Sequence, residues 1–255
     1  MPRARTIATL VAVLTLSACS AREEATPAPS PSPTAPAETL FQPPSNPCDT
    51  VSAATREQFE LTRPKADTFP YTGAETAGGD MILADTIRCS WAVDNPAKGQ
   101  NGRKNQFSVT LDFQVPTTQD ADQISAMARA ASNDEVTPTQ MAQALLDSGQ
   151  TDLEGESAGV TTTLKRNEPI DELGDRAYSA VLGQEDVNGK STAVVVALQA
   201  ANAHIKVTAS GSDLKLDPSL PEGLQLVTTP VPPRRLKPAA QAIAHDALDA
   251  LSGAV

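Results

Sequence analysis

Aromatic residues are scarce in this chain of 255: five Phe, two Tyr and one Trp, 3% in all. A platform for stacking sugars or bases, which needs several exposed rings, is therefore not evident. Histidine is scarcer still, with only His204 and His245, and no Cys/His spacing suits a zinc site. A glycine-rich phosphate loop is missing as well, and no cofactor is expected. No apolar run reaches the ~20 residues that a bilayer-crossing helix requires. Basic charge is the minority sign, with 20 Lys and Arg against 31 Asp and Glu and a net charge of −11. That balance argues against a nucleic-acid partner and against electrostatic attachment to an anionic membrane.

What is present at the N-terminus is an address. Arg3 and Arg5 precede a short uncharged apolar run from Ile7 to Leu16, the layout of a secretory signal peptide. The run closes on Leu16-Ser17-Ala18-Cys19, which resembles the lipobox of bacterial lipoproteins. The resemblance implies cleavage after Ala18, leaving Cys19 as the acylated first residue. Small Ser17 and Ala18 suit entry into a peptidase, and the thiolate is the nucleophile that accepts lipid. Two acyl chains give a stable anchor. The expected location is thus the extracytoplasmic face of the cell membrane, held through lipid on Cys19.

The chain holds three cysteines, an odd count for an exported protein. With Cys19 lipidated, Cys48 and Cys89 remain to pair in an oxidising compartment. Such a bond closes a loop worth about 4 kcal/mol in the chain-entropy model. Between Cys19 and Asn46 lies a stretch of Ala, Pro, Ser and Thr with prolines at 27, 29, 31, 33, 36, 43 and 44. It has too little apolar surface to offset the entropy of ordering, so an extended, disordered spacer is expected. The expected organisation is a signal peptide over residues 1–18, a lipidated Cys and linker over 19–46, and one exported domain over 47–255.

Within that domain, Phe107, Val109, Leu111, Phe113 and Val115 alternate with polar residues, a period-two strand with one face buried. Thr118 is expected to cap a helix carrying Ile124, Met127, Ala128 and Ala131. A second helix starts at Thr137, with Pro138 in its first turn, and stops at Gly149. Asn188-Gly189 is a strong hairpin signal, joining a strand near Ala177–Leu182 to Ser191–Leu198. A further strand sets Ala203, Ile205, Val207 and Ala209 on one face and His204, Lys206, Thr208 and Ser210 on the other, which is expected to be solvated. A loop over residues 211–237 then leads to a final helix opened by Pro238, burying Ile243, Ala247 and Leu251 and ending at Gly253. Hairpin-linked strands with helices between the groups read as α+β: an antiparallel sheet packed against a few helices.

Gly155-Glu156-Ser157-Ala158-Gly159 matches the Gly-x-Ser-x-Gly nucleophile elbow and resembles the form seen in carboxylesterases. That elbow needs a strand running into a strained turn and out into a helix. Here a helix precedes the motif and a Thr-rich strand is expected after it, so the loop reading is favoured. His245 shares the polar face of the last helix with Gln241 and Asp249, and His204 lies on the expected solvated face, so both read as surface histidines. Asp186-Val187-Asn188-Gly189-Lys190-Ser191 faintly resembles a calcium loop but has Ala197 where a bidentate Glu belongs. Asp171, Glu172 and Asp175 read as solvated acids. No catalytic and no metal-binding residues are assigned.

Pro47-Cys48 and, some forty residues on, Cys89-Ser90-Trp91 are similar to a pattern in actinobacterial exported lipoproteins of unknown function. Leu173-Gly174-Asp175-Arg176-Ala177 before a strand, a hairpin around Asn202 and a closing Ala-rich helix agree with it. The resemblance implies a Cys48–Cys89 disulfide with Trp91 packed beside it; it implies no activity. The expected function is a non-catalytic module that binds a small molecule, a lipid or an envelope protein outside the membrane. The alternatives are a serine hydrolase using Ser157 and a structural envelope protein.

Overall fold

The computed structural model describes residues 40–69, 74–75, 81–82, 85–95, 105–128, 135–157, 159–187, 189–216, 219 and 226–253. The first element among the described residues is a 3-10 turn, Pro47–Thr50, started by Asn46, whose side chain accepts from the Cys48 amide. Ser52 then caps the short helix α1, Ala53–Gln58, by accepting from the Thr55 amide. Strands β1 (Leu61–Phe69), β2 (Ala74–Glu75), β3 (Met81–Ile82), β4 (Thr86–Asn95) and β5 (Asn105–Gln114) follow. Next come helices α2 (Thr118–Ala128) and α3 (Pro138–Thr151). The chain then returns to sheet through β6 (Gly155–Ser157), β7 (Val160–Pro169), β8 (Arg176–Asp186), β9 (Gly189–Ala200), β10 (Ala203–Leu216) and β11 (Leu226–Pro230), and closes with α4 (Pro233–Leu251).

Nine of these strands form one antiparallel sheet in the order β1-β4-β5-β10-β9-β8-β7-β6, with β11 paired to β10, while β2 and β3 form a small separate ribbon. The architecture is α+β, as the patterning predicts. Pro64 sits in β1 at no cost to the ladder because β1 is an edge strand and is bulged between Thr62 and Lys65. At the centre, every residue of β9 from Thr192 to Ala200 is buried, so both faces of the sheet are covered there.

Helix α4 covers one face. Leu236, Ala240, Ile243, Ala244 and Ala247 share a core with Leu111, Phe113, Val194, Val196, Ile205 and Val207, along with Cys48, Cys89 and Trp91. Each large aliphatic side chain buried this way contributes about 1.5–3 kcal/mol. Helix α3 covers part of the opposite face: its Leu146, with Leu153 just past its end, meets Tyr178, Ala180, Leu182, Ala193, Val195 and Ala197. The small side chains of Ala193 and Ala197 let the helix approach closely. Helix α2 packs on α3 through Ala121 and Ile124 against Met141 and Leu145.

Local chemistry sets the boundaries, with some departures from the sequence-based expectations. The cap of α2 is Thr117, one residue before Thr118: Thr117 Oγ1 accepts from the Asp120 amide and Asp120 accepts from the Thr117 amide. Ala131 lies outside the described residues. Thr137 and Gln140 form a full capping box on α3, and the helix passes through Gly149 to Thr151. The β8–β9 loop is Val187-Asn188, with Asp186 paired to Gly189; Asn188 is outside the described residues. The segment expected as a loop from Gly211 instead extends β10 to Leu216 and adds β11. The last helix starts at Pro233, five residues early, because a proline at its first position loses no hydrogen bond; Pro238 lies inside it. Gly253, at φ 69°, follows its end.

Two polar side chains fasten the hairpin ends. Buried Asn202, in the β9–β10 turn, accepts from the Phe41 amide at 2.7 Å and donates to the carbonyls of Phe41 (3.1 Å) and Pro116 (2.8 Å). Asp175 accepts from the Ala201 amide at 2.7 Å, and the Asp175 amide donates to the Gln199 carbonyl at 2.8 Å.

Candidate functional site

Of the three cysteines, Cys48 and Cys89 are joined by a disulfide with Cα atoms 5.1 Å apart. Both are buried, with Trp91 in the same core cluster, so the bond clips the 3-10 turn to β4. Cys19 lies outside the described residues.

A cavity opens on the α3 face of the sheet. Strand register puts residues from four chain segments into rows across its floor. Asp112 on β5 stands opposite Arg88 on β4 and Lys206 on β10, and Arg88 stands opposite Asp67 on β1. The result is a row of alternating charge over four adjacent strands. Within it, Arg88 grips Asp112 in a two-pronged ion pair, 2.5 and 2.9 Å, and lies 5.1 Å from the centre of the Phe69 ring. That pair raises the Arg88 pKa, with the Asp112 hydrogen bond as the largest cause. The next row holds Thr86, Gln114, His204 and Gln199.

The cavity measures about 790 Å³, within the range of small-molecule sites. Its floor is this polar part of β4, β5 and β10. One wall is apolar, from Leu145 and Leu153 near the end of α3 and from Leu182 and Val195 on the sheet. Asp152 and the segment from Glu154 to Ser157 form the other.

His204 belongs to this floor, and here the sequence expectation fails. Of the face expected to be solvated, Lys206, Thr208 and Ser210 are half-buried, but His204 is only 4% exposed. Its Nδ1 lies 2.9 Å from Gln114 Oε1. A carbonyl oxygen accepts, so Nδ1 carries the hydrogen and Nε2 is left as a bare acceptor. Among the described residues Nε2 has no partner. Burial, followed by the charge of Lys206, pushes the His204 pKa down to about 3. The ring is therefore a neutral acceptor at ordinary pH. His245, by contrast, is exposed on α4 as its helical position implies.

Ser157 lines the same cavity but not as a nucleophile elbow. It ends the three-residue strand β6 and is exposed, and β7 pairs back on it, Ser157 opposite Val160. The strand–turn–helix context is absent at this motif. No hydrogen bond joins Ser157 to His204, and an imidazole with its pKa near 3 is a weak base for a hydroxyl proton.

Asp171 and Glu172 are exposed. Asp175 is committed to the Ala201 amide, and the Asp186–Gly189 segment is the β8–β9 hairpin. Among the described residues no group of three His, Cys, Asp or Glu is placed to hold a metal.

Sequence reasoning did not single out Arg88, Asp112, Gln114 or Lys206. The signal available was their shared parity: each falls on the polar phase of an alternating strand. The partners are 24 residues apart for Arg88 and Asp112 and 90 for Gln114 and His204, so no local pattern pairs them. Compared with known proteins, the chain matches no family model, no curated protein and no solved structure.

Proposed function

We propose that this chain is a lipid-anchored extracytoplasmic lipoprotein whose domain binds a small ligand non-catalytically in the cavity on the α3 face. One observation carries the reading: an open cavity of about 790 Å³ is lined by polar side chains from three adjacent strands, Arg88, Asp112, Gln114, His204 and Lys206, beneath the end of α3. The lipobox-like Leu16-Ser17-Ala18-Cys19 supports the anchor, and the Pro-Cys and Cys-x-Trp pattern supports kinship with the actinobacterial lipoproteins. Native mass spectrometry of the protein drawn gently from its own host's envelope tests the binding reading. A discrete mass beyond the acyl modification, lost on denaturation, supports it; a single mass equal to the acylated chain argues for a protein partner or a structural role instead.

A serine hydrolase is the second reading, favoured by the placement of Ser157 and His204 in one cavity. A fluorophosphonate probe separates the two. No Ser157-dependent labelling is expected, and labelling abolished by Ser157→Ala establishes the hydrolase.

A further inference from the structure

We infer that the cavity takes a small hydroxylated carboxylate, its carboxylate on Lys206 and its hydroxyls toward β6, β7 and β8. This rests on the ligand-binding reading above and names the chemical class of the ligand. Lys206 is half-buried on the cavity floor. Taking an ammonium partly out of water costs free energy that a nearby anion offsets. Across the strands its neighbours are Ala197 on β9 and Asp112 on β5, and Asp112 spends both its oxygens on Arg88. On its own strand face stand His204 and Thr208, neither of which brings negative charge. Among the described residues Lys206 therefore has no ion-pair partner. Its ammonium, unlike His204 Nε2, is not sealed off.

The groups beside Lys206 suit a carboxylate. Thr208 follows it on the same strand face, and Gln114 stands diagonally across on β5. The Thr208 hydroxyl and the Gln114 amide nitrogen make no hydrogen bond among the described residues, and neither is sealed off. A carboxylate has two acceptor oxygens, one for the ammonium and one for a neutral donor. A phosphate dianion would set its second charge beside Asp112 on the neighbouring strand. The far side of the cavity is hydroxylated. Gln184 and its cross-strand partner Thr162 share the face of Leu182, which packs on α3, and Ser157 continues that face on β6. Ser157 is exposed, and Thr162 and Gln184 are half-buried, so two hydroxyls and an amide are open to a ligand's own hydroxyls.

The experiment titrates the oxidised chain carrying Cys19→Ser, which removes any acyl group, with four probes: D-gluconate, sorbitol, hexanoate and inorganic phosphate. NMR shifts locate the binding. Gluconate is expected to bind one-to-one at the cavity residues, about tenfold more tightly than any of the other three. Lys206→Met, which keeps the side chain's length and removes its charge, is expected to weaken gluconate about tenfold, the scale of one charged hydrogen bond. Lys206→Arg should retain most of the affinity, and Lys190→Met, at an exposed hairpin lysine, should retain all of it. Added sodium chloride should weaken gluconate and leave sorbitol unchanged, a check that needs no variant. Sorbitol binding as tightly as gluconate overturns the carboxylate, hexanoate binding as tightly overturns the hydroxylated body, and phosphate binding more tightly replaces the carboxylate with a phosphate. Gluconate affinity indifferent to both Lys206→Met and salt overturns the placement on Lys206. If no probe perturbs the cavity residues, the ligand class is wrong; native mass spectrometry then decides separately whether the cavity binds a ligand at all.

Discussion

His204 makes the stability of this protein depend on acid in a defined direction. The ring is neutral in the native state because burial, with Lys206 on the same strand face, disfavours the charged form. In the unfolded chain it titrates near pH 6.5. Across the window from that value down to about 3, the unfolded state binds the proton and the native state does not. His204 therefore destabilises the fold progressively as pH falls through this window, and the effect levels off below it. Urea midpoints measured from pH 7 to pH 4 should decline, and His204→Gln should flatten that decline. An equal slope in both proteins would assign the acid sensitivity to other groups. Gln114 is part of the same device, since its carbonyl holds the hydrogen on Nδ1.

Between elements, the joints are set by a few residues whose neighbours leave no room. Gly174 precedes β8 at φ 68°, and a Cβ there would lie 2.7 Å from the Gln199 carbonyl oxygen. Gly174→Ala combines a left-handed backbone with a backbone clash, and should cost about 2 kcal/mol or more. Chemical denaturation of the oxidised protein measures this; a loss within ~0.5 kcal/mol would mean the loop simply moves aside. The same scale explains what could be read in advance. Strand β5 and the buried stripe Ile243–Ala247 are visible because their patterns are local and strongly periodic. Position 149 misled for a local reason: Gly149 reads as a helix stop, yet it packs 3.5 Å from the Tyr178 hydroxyl, measured from an added Cβ. The extension of β10 and the pairing of β11 lie in a segment where Pro and Gly suggest only loop. The burial of Asp112, Gln114 and His204 was not legible, because polar alternation on β5 and β10 looks the same whether water or protein surrounds it.

At the scale of the whole molecule, location and binding are separable properties. Lipid on Cys19 is proposed to hold the chain at the membrane, while the cavity is assembled from residues between Phe69 and Thr208. Cys19→Ser is accordingly expected to shift the protein from the membrane fraction to the soluble fraction without changing the fold, checked by fractionation and circular dichroism. Retention on membranes after that change would refute lipid anchoring at this residue.

The disulfide also decides how the domain bears load. A pull arriving through the N-terminal segment meets the grip of Asn202 on Phe41 and then passes through Cys48 directly into Cys89 on β4. Residues 49–88, including α1 and edge strand β1, stand outside the line of tension. An oxidised domain thus resists being peeled from its β1 edge, whereas reduction places roughly 140 Å of extensible chain in series with the pull. The bond works as a strain relief, like the clamp on a cable where it enters its housing.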